Sequence, residues 1–67
     1  MNKNTIWILF QADLIAGAFT SYRKAVQAMA TVATLPITEF ESSFDIDFFT
    51  DKKGTVWSIQ EFELNNI

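Results

Sequence analysis

Five consecutive apolar residues, Ile6-Trp7-Ile8-Leu9-Phe10, constrain this chain most. The run is β-branched and aromatic, bounded by Thr5 and Gln11, and far too short to cross a membrane, so it reads as a strand. Alternation along a strand sends Ile6, Ile8 and Phe10 to one side and Trp7 and Leu9 to the other. Both sides are apolar. A strand of that kind belongs in the middle of a sheet covered on both faces, or has one face turned to another molecule.

The rest of the chain offers little to cover two faces. Ala12-Asp13-Leu14 can reverse the chain, and Ile15 to Phe19 forms a second strand, giving an N-terminal hairpin in which Gly17 marks a bulge or a close backbone approach. Thr20 or Ser21 can cap a helix, after which Tyr22, Ala25, Val26, Met29, Val32 and Ala33 recur at helical spacing up to a stop before Pro36. Ile37 to Ser43 reads as an irregular connector. Phe44 to Thr50 alternates again, with Phe44, Ile46 and Phe48 expected inward and Asp45 and Asp47 outward. Asp51-Lys52-Lys53-Gly54 is a turn signal, and Thr55 to Leu64 returns as the last strand. Pairing Thr50 with Thr55 sets Phe48 opposite Trp57 and Ile46 opposite Ile59, and a bulge near Gln60-Glu61 would accommodate the change of phase to Phe62 and Leu64.

The expected fold is therefore α+β, a single domain over residues 1–67. Its order is β-β-α-β-β, a four-stranded antiparallel or mixed sheet with one helix on one face. The helix is expected to pack through Tyr22, Ala25, Val26 and Met29 on Ile6, Ile8, Phe10, Phe19, Ile46 and Trp57. That leaves Trp7, Leu9, Ala16, Ala18, Phe49 and Val56 on the open face, with Asp45, Asp47, Ser58 and Gln60 around them. From this follows an expected homodimer, with Trp7, Leu9, Phe49 and Val56 as the self-associating residues.

Residue content narrows the chemistry. With 67 residues, most large apolar side chains are needed for one core and little remains for an enclosed active site. The absence of Cys and His removes thiolate and imidazole metal sites and neutral-pH imidazole proton transfer. Net charge is −3 and its placement is uneven: Glu39, Glu41, Asp45, Asp47, Asp51, Glu61 and Glu63 face only Lys52 and Lys53 in the C-terminal half. Such a surface repels phosphate backbones and suits a partner protein with a basic groove, so Glu39, Glu41, Asp45, Asp47, Glu61 and Glu63 are the candidate partner-binding residues, with no direct nucleic-acid contact expected. The lack of a long apolar run leads to the expectation of a soluble, cytoplasmic protein without membrane contact.

Two constellations invite a catalytic or ligand reading and do not sustain it. Gly17-Ala18-Phe19-Thr20-Ser21 precedes a helix with Lys24 nearby, yet neither GxxxxGK[ST] nor GxGxxG is present, and a structural cap explains the hydroxyls. Asp45, Asp47, Glu61 and Glu63 sit at alternate strand positions, without an EF-hand loop to converge ligands on a metal. No catalytic residue, cofactor or metal is assigned, and the expected protein is not an enzyme.

Gly17, Phe19, Thr20, Ser21 and Ala25, together with the ending Ile59-Gln60-Glu61-Phe62-Glu63-Leu64, resemble short uncharacterised proteins of phages and prophages. The resemblance implies a phage-type accessory protein acting in the host cytoplasm and brings no catalytic residues with it. The function expected is a non-catalytic inhibitor offering its acidic surface to a host defence or nucleic-acid-processing protein. The alternative is a self-associating structural or assembly protein that uses an apolar sheet face.

Overall fold

A computed structural model describes residues 4–33 and 37–64; Pro36 and the residues beside it, where the helix stop was read, lie outside this set. Among the described residues there are five strands and one helix: β1 (Asn4–Gln11), β2 (Leu14–Phe19), α1 (Tyr22–Val32), β3 (Glu39–Ser43), β4 (Ile46–Thr50) and β5 (Val56–Leu64). All strand pairs are antiparallel, and the sheet order is β2-β1-β5-β4-β3. The α+β class and the single helix are as expected. The number of strands is not, because β3 comes from the segment read as an irregular connector. Its sequence, EFESS, has one apolar residue, and every position is exposed. Such a strand is held by its ladder with β4 and by Thr38, whose N–H and Oγ1 both donate to the Thr50 carbonyl at 2.8 and 2.9 Å. Hydrophobic periodicity carries no signal for it.

β1 and β5, the first and last strands, pair along their whole length from Asn4↔Leu64 to Gln11↔Trp57 and form the centre of the sheet. No bulge interrupts β5. The phase change near Gln60 marks a change in which face is apolar: Trp57 and Ile59 lie under the helix, whereas Phe62 and Leu64 belong to the opposite face and Glu61 and Glu63 to the helix side. The bulge is instead on β2, where Leu9↔Gly17 is followed by Phe10↔Ile15 and Ala16 is the extra residue. Gly17 is also a close approach, since a Cβ there would stand 2.9 Å from the Phe19 ring.

Ser21 is the helix cap, its Oγ accepting from Lys24 N–H at 3.1 Å, while Thr20 Oγ1 lies 3.4 Å from Lys24 Nζ. The helix ends at Val32 with Ala33 as its C-cap. Ala25 and Met29 are buried and Val26 half-buried, as helical spacing indicates, but Val32 is exposed.

The face that the helix covers is the reverse of the expected one for β1 and β4. The core is Leu9, Ala25, Met29, Phe49, Trp57 and Ile59, with Trp7, Phe19, Val26 and Ile37 packed against it. For β1 the cause is its pairing with β5, which sets Leu9 opposite Ile59 and Gln11 opposite Trp57; for β4 it is a register one residue away from the expected pairing. Thr50 pairs with Val56, so Phe49 faces Trp57, Asp47 faces Ile59, and Phe48 faces Ser58. A one-residue slip exchanges the faces of an entire strand. Ile6, Ile8, Phe10, Ile46 and Phe48 thus lie away from the helix, and Trp7, Leu9 and Phe49 lie beneath it. Of the four residues assigned to self-association, only Val56 is on the open face.

The β4–β5 turn is organised by a buried carboxylate. Asp51 Oδ1 accepts from Lys53 N–H at 3.0 Å and Thr55 N–H at 2.9 Å, and Oδ2 accepts from Trp57 Nε1–H at 3.0 Å. Gly54, at φ 87°, supplies the left-handed step, and its N–H reaches the Asp51 carbonyl at 3.0 Å.

Candidate functional site: an acidic corner beside the helix start

The six carboxylates singled out from the sequence fall into two groups on opposite faces. Glu39 and Glu41 stand on the edge strand β3 in register with Thr50 and Phe48, so they belong to the open face. Asp47 and Glu61 pair with Ile59 and Trp7, and Glu63 pairs with Thr5, which places them on the helix side. Asp45 is in the two-residue β3–β4 turn, and its carbonyl accepts from Glu61 N–H at 3.4 Å. The sheet therefore gathers Asp45, Asp47, Glu61 and Glu63 just beyond the part of β5 that the helix covers.

Two adjoining concavities shape this corner. One, of about 150 Å³, is lined by Trp7, Tyr22, Phe44, Asp45, Asp47, Ile59 and Glu61. The other, of about 230 Å³, is lined by Thr5, Asp45, Glu61 and Glu63. Among the described residues no group of three or more carboxylates is arranged to hold a metal ion.

Two aromatic members were not foreseen. Tyr22, the first helical residue, was expected in the helix–sheet core; it is 37% exposed and borders the corner instead. Burial of its phenol, its hydrogen bond to the Asp47 carboxylate and the negative charge of that carboxylate push its pKa up to about 12. Phe44 was read as an inward strand residue, but it is fully exposed at the hairpin tip with φ 53°. Ser43-Phe44-Asp45-Ile46 lacks the Gly or Asn that would announce a two-residue turn. Tyr22 had a signal, namely its position one residue after a capping serine, where a helix has barely entered the core.

A further groove of about 440 Å³ lies between α1 and the β3–β4 edge, lined mainly by Val26, Met29, Ala30, Ile37, Phe40 and Phe49. The Phe40 and Phe49 rings are tilted against each other there, with centroids 5.0 Å apart. Among the described residues no helix is long and apolar enough to cross a membrane.

The molecule defined by this fold and corner is a small α+β protein with one helix on an antiparallel five-stranded sheet. No family model, curated protein or solved structure matches it.

Proposed function

We propose that the chain is a non-catalytic binding protein, an accessory protein of the phage kind, that docks a basic surface of a partner protein on its acidic corner. The observation that supports this reading is the gathering of Asp45, Asp47, Glu61 and Glu63 at one end of the helix side, next to Tyr22 and Phe44. Like charges brought together raise the local negative potential and speed encounter with a basic surface, and aromatic side chains beside them supply contact area once the partner is seated. Inhibition of a nucleic-acid-handling host protein is the role such a surface serves most simply, because it can occupy a groove that otherwise takes phosphates.

An arginine-rich probe peptide tests the reading. Wild-type protein is expected to bind it in low salt and release it in high salt. Asp45→Lys with Glu61→Lys changes the net charge by as much as Glu39→Lys with Glu41→Lys. The first pair is expected to weaken binding about tenfold more than the second. Equal loss from both pairs would make the attraction a matter of net charge and remove the corner from the mechanism.

A further inference from the structure

We infer that the open face of the sheet is the interface of a homodimer, formed by Ile6, Ile8, Phe10, Ile46, Phe48 and Phe62. Strand register puts these residues on one face: Ile6 pairs with Phe62, Ile8 and Ile46 both pair with Gln60, and Phe10 and Phe48 both pair with Ser58. The core beneath the helix is on the other side, and no helix among the described residues lies over this one. This inference does not depend on the acidic corner.

Four observations favour a second copy as the occupant. First, the patch carried by β2, β1, β5 and β4 has no charged side chain in its strand rows; its central polar residues are Ser58 and Gln60, which are neutral. Second, Asp47, Glu61 and Glu63 lie on the helix side, so two copies of a chain of net charge −3 can stack here without opposing those carboxylates. Glu39 and Glu41, the carboxylates on this face, are confined to the edge strand β3. Third, both sheet edges are guarded against pairing with another strand, β2 by its bulge and β3 by those two glutamates, so association by edge-to-edge pairing is disfavoured. Fourth, the size comes close to what a specific interface needs. Four strands span about 19 Å and six residues of strand about 20 Å. The resulting footprint of roughly 400 Å², enlarged by side-chain relief, approaches the ~600 Å² per partner at which specific interfaces begin. A two-fold stack of sheets closes on itself, each copy offering the same patch. It leaves both acidic corners facing outward.

Sedimentation equilibrium of the full chain, with circular dichroism as the folding control, reads the result. Wild type is expected at twice the 7.6 kDa chain mass. Ile8→Lys and Phe48→Lys are each expected to remain folded and weaken the dimer about 100-fold. Leu9→Lys, one residue along but under the helix, is expected to unfold the chain. A wild-type monomer at about 100 µM overturns the inference, since that excludes any dimer of useful affinity. So does a dimer that survives both face substitutions. If Ile8→Lys and Phe48→Lys fail to fold, single thiols decide, because the chain has no Cys. A short bismaleimide is expected to link Ser58→Cys chains and not Thr31→Cys chains, whose thiol lies on the exposed side of the helix. The reverse order of linking also overturns it.

Discussion

Trp57 Nε1–H donates to Asp51 Oδ2 at 3.0 Å, a contact between the largest side chain of the core and a carboxylate that is itself only 4% exposed. The same carboxylate receives two backbone N–H groups of its own turn. It therefore couples the β4–β5 connection to the position of the indole, and through the indole to Phe49, Trp57's partner in register.

Removing that acceptor strands donors away from water. Asp51→Ala is expected to cost about 3 kcal/mol, since an unmade buried hydrogen bond carries the full desolvation penalty of the group left behind. Asp51→Asn is expected to cost less, about 1.5 kcal/mol, because its carbonyl oxygen can still accept from the turn while its amide N–H₂ meets the indole donor. Urea unfolding followed by indole fluorescence measures both; a loss below 1 kcal/mol in Asp51→Ala would show that the turn holds without the carboxylate.

Tyr22 is the only tyrosine in the chain, so the phenolate absorbance band titrates one group. Its midpoint is expected near pH 12 in the folded protein, and Asp47→Asn is expected to bring it down toward the ordinary value of 10.0 while burial keeps it somewhat above. The folded-state pKa is raised, so the associated stabilisation is fully present below about pH 10 and is lost as pH rises through about 12. A wild-type midpoint at the ordinary value would detach Tyr22 from Asp47.

Gly17 and Phe19 form a pair in which the ring occupies the space that a Cβ would need. Gly17→Ala is expected to destabilise by about 1.5 kcal/mol, because the ring must leave its position against the core cluster. In a Phe19→Leu background the same substitution is expected to cost less than 0.5 kcal/mol. Additivity of the two changes in thermal unfolding would mean that the glycine answers to backbone geometry at the bulge instead.

Phe44 combines a positive φ with complete exposure, so its ring contributes no intramolecular burial to offset the conformational cost. Phe44→Asn is expected to raise stability by about 0.5–1 kcal/mol, as asparagine tolerates this region. If the ring anchors a partner, the same variant binds the arginine-rich probe less well than wild type despite being more stable. A destabilised Phe44→Asn would point to contacts of the ring within the fold.

The elements were largely legible in the sequence. Alternation over Ile6–Phe10, a cap at Thr20 or Ser21 followed by Ala25 and Met29 at helical spacing, and the Asp51–Gly54 turn are local signals, and each produced its element. β3 was not legible, because a polar edge strand is specified by the hydrogen-bonding partner beside it and not by its own pattern. The acidic corner was half legible: its carboxylates could be named, whereas Tyr22 was signalled only by its place just after the capping serine, and Phe44 sits in a two-residue turn without the Gly or Asn that would announce it.

Which face the helix covers was decided by tertiary structure alone. β1 is apolar on both sides, so Trp7 and Leu9 are as plausible a core row as Ile6, Ile8 and Phe10. Composition and periodicity establish that two apolar rows exist and cannot rank them. The choice was made by two pairings with β5, that of β1, which sets Leu9 opposite Ile59, and that of β4, where a shift of one residue brings Phe49 rather than Phe48 opposite Trp57, and by the packing of Ala25 and Met29 against that row. Because side chains alternate with period two, these two registers determine which residues fold the protein and which remain on its surface.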